Sequence, residues 1–208
     1  MNKSMIKPYV MGICGGSGSG KTYLLNQLLS KLPTGKLTLV SQDNYYLPYE
    51  EQDQDEEGLV NFDHPKSINL DLLHVDMMRI LNGETVKIKE YTFNNPAHTA
   101  SDITMAPAPI LILEGLFIYH LPKLRELIDL KIFVDAPEYL RLYRRLKRDE
   151  IERGYSNDSV LRDYERFVAP MYTEFVEPTK KFCDMIVLNV DNVDNAVEVL
   201  VGHLQNKI

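Results

Sequence analysis

Two spacings of hydrophobic residues alternate along this chain. Short continuous apolar runs, bounded by glycine, proline or polar residues, recur at Tyr9–Cys14, Lys36–Ser41, Ile110–Leu113, Leu130–Val134 and Met185–Leu188. Runs of that length, apolar at successive positions, read as strands buried on both faces, as in a parallel sheet. Between them the apolar residues fall at helical spacing. Over Lys21–Leu32 they are Leu24, Leu25, Leu28, Leu29 and Leu32, with Pro33 and Gly35 ending the helix. Over Ser67–Leu81 they are Ile68, Leu72, Leu73, Met77, Ile80 and Leu81, stopped by Asn82-Gly83. Further helical stretches lie around Pro122–Ile128, over Glu138–Arg153, over Asp158–Phe175 with an interruption at Pro170, and over Val193–Asn206. Glu84–Phe93 alternates at Val86 and Ile88 and reads as an edge hairpin strand. Asn94–Pro109, with three prolines, reads as a loop. Strand and helix taken in turn predict an α/β domain with a parallel sheet and helices on both faces. No repeat or low-complexity tract divides it.

Composition narrows the function classes. With 208 residues and 44% hydrophobic content, one domain can bury a sizeable core and carry a small lid or insertion. A net charge of −7 makes general nucleic-acid binding unfavourable, because phosphate backbones are repelled. Cys14 and Cys183 are far apart, each near a predicted strand, and read as buried free thiols in a reducing compartment. No second Cys or His stands at metal-ligand spacing. Met1–Pro8 is polar and basic without an apolar signal core, and no apolar run approaches the roughly 20 residues that span a bilayer. The expected setting is the cytoplasm.

The candidate chemistry begins at Gly15-Gly16-Ser17-Gly18-Ser19-Gly20-Lys21-Thr22, which fits G-x-x-x-x-G-K-[ST] at every fixed position. Glycines let backbone N–H groups surround phosphate oxygens. Lys21 can reach the β- and γ-phosphates, and Thr22 can offer a hydroxyl to Mg²⁺. The following helix aims its N-terminus at the anion. Asp43, in Gln42-Asp43-Asn44-Tyr45-Tyr46, stands at the carboxyl end of the second strand, where ligands of open α/β sheets collect. It can hold Mg²⁺ through water or accept a proton from an attacking hydroxyl. Glu114, behind the apolar run Ile110–Leu113, is the candidate for a second Mg²⁺ carboxylate, with a helix-capping or surface role as the alternative. Arg141, Arg144, Arg145 and Arg148 share a helical face at i, i+3, i+4 and i+7, and Arg153 precedes a hinge or cap at Gly154. That face can cover the charge that develops in phosphoryl transfer, or be a solvated basic surface, the latter most readily for Arg141 and Arg144. The acids Glu50, Glu51, Asp53, Asp55, Glu56 and Glu57 read as a solvated mobile loop or, alternatively, a metal site.

These residues together resemble the uridine/cytidine kinase family, within the group that includes phosphoribulokinase-like and pantothenate kinase-like enzymes. The resemblance rests on GGSGSGKT (15–22), SQDNYY (41–46), NFDHP (61–65), LEG (113–115), KIFVDAP (131–137), RLYRRLKRDEIERG (141–154) and EPTKKFCDMIV (177–187). It implies a P-loop NTPase fold of three αβα layers, with a small β-hairpin insertion (84–108) on the substrate side and a helical lid (138–175). It implies ATP and Mg²⁺, a nucleoside-like small-molecule acceptor and a possible homo-oligomer. It makes Asp43 the general base for a ribose 5′-hydroxyl, with Thr22 and Glu114 serving Mg²⁺ and Asp43 nearby. Asp63 would bind ribose hydroxyls, Tyr46 and Tyr91 would line the nucleoside pocket, and Arg145 would sit near the substrate. Arg148 and Arg153 would act from the lid, and Asp194 would lie near the adenine. Three base-proximal positions depart from the family pattern. Pro96 stands where a His reads the pyrimidine edge, with His98 two residues late; Tyr155 replaces an Arg; Asp163 replaces a Gln. Phosphorylation of a ribose-like hydroxyl is therefore expected with altered base recognition. A GTPase-type switch would need a guanine-reading Asn-Lys-x-Asp, which the chain lacks. A non-catalytic nucleotide-binding module is disfavoured by Lys21, Thr22, Asp43 and Glu114.

Overall fold

The computed structural model describes residues 7–93 and 98–208. The readings on Met1–Ile6 and on Asn94-Asn95-Pro96 lie outside these residues. In chain order the elements are β1 (Tyr9–Cys14), α1 (Lys21–Lys31), β2 (Leu37–Ser41), α2 (Leu70–Leu81), β3 (Val86–Lys89), β4 (Asp102–Met105), β5 (Ile110–Gly115), α3 (Pro122–Arg125), β6 (Leu130–Asp135), α4 (Glu138–Arg153), α5 (Asn157–Asp163), α6 (Ala169–Met171), β7 (Met185–Leu188) and α7 (Asp194–Gln205).

Five strands form one parallel sheet in the order β2-β5-β1-β6-β7. Successive side chains of each strand point to opposite faces, and the core divides accordingly. Val10, Cys14, Leu111, Leu113 and Phe133 pack on one face with Leu73, Met77 and Ile80 of α2. Met11, Ile13, Ile110, Ile112, Ile132 and Val134 pack on the other with Leu24 and Leu28 of α1 and Val197, Leu200 and Leu204 of α7. This is the expected three-layer αβα arrangement, and the central strands are apolar throughout because both faces are covered.

Four local readings change. Leu29 is 36% exposed, so the buried stripe of α1 is Leu24, Leu25 and Leu28. The helix expected from Ser67 begins at Leu70. Pro65–Ser67 forms a separate 3₁₀ turn, and the Asn69 side chain accepts from the Leu72 N–H at 2.9 Å as an N-cap. The hairpin is a separate two-stranded sheet. β3 pairs antiparallel with β4, which lies within the stretch read as loop, with Val86 opposite Met105 and Ile88 opposite Ile103. Four residues with one alternation, followed by Pro107 and Pro109, carry too little local signal to mark a strand; the apolar pairs across the hairpin make it one. Pro170 does not interrupt its helix. A π-helical turn over Tyr164–Val168 precedes it, and another over Tyr172–Val176 follows. The wider turn moves the preceding carbonyl away from the position where an α-helix would drive it into the proline ring.

Candidate active site

The phosphate loop joins the carboxyl end of β1 to α1 and lies against the neighbouring chain so closely that side chains are excluded. A Cβ on Gly18, where φ is +75°, would stand 2.2 Å from the Arg141 carbonyl oxygen; on Gly15 it would stand 2.3 Å from that of Val134. Lys21 is the first residue of α1, and its Nζ donates to the carbonyls of Gly15 at 3.0 Å and Gly16 at 3.3 Å. The ammonium thus folds back over the carbonyls of the loop.

Beside it, β2 and β5 end in register. Ser41 lies opposite Glu114, and its Oγ donates to Glu114 Oε1 at 2.5 Å. Asp43 follows on a 3₁₀ turn, Gln42–Tyr45, that leaves β2. Burial, and then the Asp43 charge, push the Glu114 carboxyl up to about 7. Burial likewise raises the Asp43 carboxyl above its ordinary range, against the pull of Lys21, Arg148 and Arg153. Two buried carboxyls side by side, one raised by the charge of the other, form a site that a divalent cation would relieve. Among the described residues no group of three or more His, Cys, Asp or Glu could hold a metal. The Asp43–Glu114 pair fits a cation of the Mg²⁺ kind, which takes one or two carboxylates and draws its other ligands from phosphate and water.

These groups open into a cavity of about 450 Å³. Its floor holds Ser17, Lys21, Thr22, Asp43 and Glu114. Its walls carry Tyr46, Asp63, Tyr91, Arg145, Arg148 and Arg153. Lys21, Thr22, Asp43, Tyr46, Asp63, Tyr91, Glu114, Arg145, Arg148 and Arg153 thus line one space, whereas Arg141 and Arg144 do not. Gly15, Gly16, Gly18, Ser19 and Gly20 shape the loop at its edge. Asp194 does not line it: it heads α7, exposed. Tyr155 and Asp163, the departures from the family pattern, also line the cavity.

The arginine face divides. Arg145 faces Asp63 at 3.4 Å and donates to Ser17 Oγ at 3.1 Å. Arg144 turns away, donating to the carbonyls of Asn189 at 3.0 Å and Ser19 at 3.4 Å. Arg141 packs behind the phosphate loop. Asn189, which the sequence did not mark, donates from Nδ2 to the Ser19 carbonyl at 2.9 Å and ties the end of β7 to the loop.

Asp149 is the other functional residue missed in the sequence. It is 1% exposed and meets Arg145 at 3.3 Å, Arg148 at 2.8 Å and Arg153 at 3.4 Å. Its i, i+4 spacing to Arg145 and Arg153 was the available signal. One buried carboxylate holds three guanidiniums around the cavity. Asp149→Ala leaves those cations facing one another, so unfolding in urea is expected to lose about 3 kcal/mol of stability, with Asp149→Asn recovering only part of it. Equal stability of Asp149→Ala and the parent chain would remove this role.

The acceptor end of the cavity is aromatic. The rings of Tyr46 and Tyr91 lie 4.9 Å apart, Phe93 lies 5.1 Å from Tyr91, and Arg153 stacks 4.3 Å over Phe93. Phe62, Phe167 and the main-chain bend at Gly58-Leu59-Val60 complete it. That bend belongs to the acidic loop, two of whose acids are engaged. Asp55 accepts from the N–H groups of Glu57 and Leu59 at 2.9 Å, and Arg166 pairs with Asp55 at 2.7 Å and Glu57 at 2.5 Å. The loop is thus a wall of the cavity tethered at Asp55 and Glu57, while Glu50, Glu51, Asp53 and Glu56 stay exposed as expected of a solvated loop.

Comparison with known proteins decides the family. The profile of the Phosphoribulokinase / Uridine kinase family matches residues 10–196. The chain belongs to that family. As a member it is a phosphotransferase with a P-loop kinase fold. A Uridine kinase from Staphylococcus carnosus is 37% identical over 199 residues, covering 96% of each chain. Uridine kinase-like protein 5 of Arabidopsis thaliana is 34% identical over 97% of this chain, which spans only 43% of that longer protein. Among solved structures, a possible uridine kinase from Bacillus stearothermophilus superposes with a TM-score of 0.62 at 17% identity, over 89% of this chain and 91% of that one, a likeness of fold. Among the described residues no helix is long and apolar enough to cross a membrane.

Proposed function

We propose that this kinase transfers the γ-phosphate of ATP to the 5′-hydroxyl of uridine, cytidine or a related ribose-containing acceptor. The observation that carries the reading is the shared cavity: the phosphate loop, the Asp43–Glu114 pair, the Asp63–Arg145 pair and the aromatic wall open into one space. The family and the names of its relatives support it.

The loop amides and Lys21 bind the phosphate chain. Thr22 and Glu114, with Asp43 nearby, would hold Mg²⁺, which when bound neutralises developing phosphate charge. Asp43 takes the proton of the attacking hydroxyl; a carboxyl already raised by burial holds that proton more readily than one in water. Asp63, its orientation set by Arg145, accepts from the remaining ribose hydroxyls. Tyr46 and Tyr91 stack the acceptor ring. Arg148 and Arg153 reach in from α4, which with the helices to 175 forms the lid, and cover the charge as water is excluded. In this reading residues 1–208 act as one kinase unit with 84–108 as the acceptor-side insertion, Asp194 approaches the adenine when nucleotide is bound, copies associate, and the free thiols Cys14 and Cys183 suit a reducing cytoplasm.

Asp163 and Tyr155 on the cavity wall favour a second acceptor within the same chemistry: a hydroxyl compound whose ring differs from uracil. Coupled ADP release across uridine, cytidine, purine nucleosides and non-nucleoside alcohols tests both. Turnover with a pyrimidine nucleoside supports the first reading. Turnover confined to another acceptor supports the second, and ADP release that no acceptor stimulates defeats both.

A further inference from the structure

Arg141 has no role in the chemistry above, yet it is the most enclosed arginine beside the phosphate loop. It is 5% exposed. Its Nε donates to the Ala136 carbonyl at 3.2 Å, its guanidinium lies 3.6 Å over the Tyr172 ring, and its Nη1 has no hydrogen-bond partner. Among the described residues no carboxylate pairs with it, whereas its neighbours are neutralised: Arg145 by Asp63 and Asp149, Lys180 by Asp135 and Glu177. A cavity of about 540 Å³ on its outer side is lined by Asp135, Glu138, Glu177 and Lys180; Asp135 and Glu177 pair with Lys180, and Glu138 is exposed and forms no ion pair with Arg141.

The loop rests directly on this residue. A Cβ on Gly16 would stand 2.8 Å from Arg141 Nη1, and a Cβ on Gly18 would stand 2.2 Å from the Arg141 carbonyl oxygen. One layer of backbone therefore separates the guanidinium from the surface that faces the phosphates. A buried charge without a counter-ion is unfavourable, and stacking on tyrosine offsets only part of that cost. The field of such a charge is poorly screened by water and passes through the loop.

We propose that Arg141 is a positioning residue for the nucleotide, an unpaired cation beneath the phosphate loop whose counter-ion is the bound phosphate chain. The proposal rests on the reading that the loop grips ATP. It makes nucleotide affinity depend on phosphate charge through a residue that never touches the ligand. A purely structural strut would support all ligands alike.

Isothermal titration of the full chain separates the two, using ATP with Mg²⁺, ADP with Mg²⁺, and uridine. Arg141→Met is expected to weaken ATP about tenfold and ADP less, and to leave uridine within about twofold. Arg141→Lys, which keeps the charge, is expected to recover most of the ATP affinity. Arg141→Gln, neutral yet able to keep the Ala136 hydrogen bond, carries the same expectation should Arg141→Met fold poorly. Unchanged ATP affinity in the neutral variants, or an equal loss for ATP, ADP and uridine, overturns the proposal while the kinase reading stands. Failure of the parent chain to bind ATP overturns both.

Discussion

Replacing Asp43 with asparagine is expected to lower kcat about a thousandfold while ATP binds within about twofold of the parent affinity. Asparagine keeps the shape and can still accept a hydrogen bond, but it cannot take a proton from a hydroxyl. Asp43 is suited to that step by position. The 3₁₀ turn that carries it leaves β2 beside the end of β5, so its carboxyl shares the cavity floor with Lys21, Thr22 and Glu114. Lys21, Arg148 and Arg153 favour its charged form while burial opposes it, leaving a raised pKa and a base stronger than an exposed aspartate. Rapid-quench kinetics with whichever acceptor stimulates ADP release, beside direct ATP titration, checks this. Turnover that survived the substitution would take Asp43 out of proton transfer.

The second large effect is at Lys21. Lys21→Met is expected to lower kcat/KM by about a hundredfold to a thousandfold and to remove most of the thermal stabilisation that ATP confers. In the ligand-free protein its ammonium donates to the carbonyls of Gly15 and Gly16 at 3.0 and 3.3 Å. Those contacts are replaceable, so the ligand-free protein should unfold within about 1 kcal/mol of the parent. Lys21→Arg is expected to fail as well, because a planar fork cannot follow the point-charge geometry that the loop leaves open. The measurement is differential scanning fluorimetry with and without ATP beside steady-state kinetics. Preserved ATP stabilisation in Lys21→Met would mean that the loop amides bind the phosphates alone.

The two families of effects, at the reacting groups and beneath the loop, differ in how they could be anticipated. Asp43 and Glu114 stand at the ends of apolar runs, where a strand end in a parallel sheet is a predictable place, and Lys21 opens the helix that follows the glycine loop. The arginines of α4 are not predictable in that way. Arg144 and Arg145 are about 100° apart around the helix, and Arg141 and Arg148 are about 10 Å apart along it. Residues that share a broad face in projection therefore reach different neighbours: Ser19 and Asn189 for Arg144, Asp63 for Arg145, the underside of the loop for Arg141.

From residues alone came the strands of the parallel sheet, the main helices, the phosphate loop and the acids at its mouth, because each is written in local spacing: continuous apolar runs, a 3.6-residue stripe, glycines ahead of a lysine. Tertiary structure alone decided the pairing of β3 with β4, the tethering of the acidic loop by Arg166 and the unpaired burial of Arg141. Each of these joins segments whose partners, or whose surroundings, are settled only when the sheet and its covering layers close. Periodicity tells which side of an element is buried, but not which other element buries it.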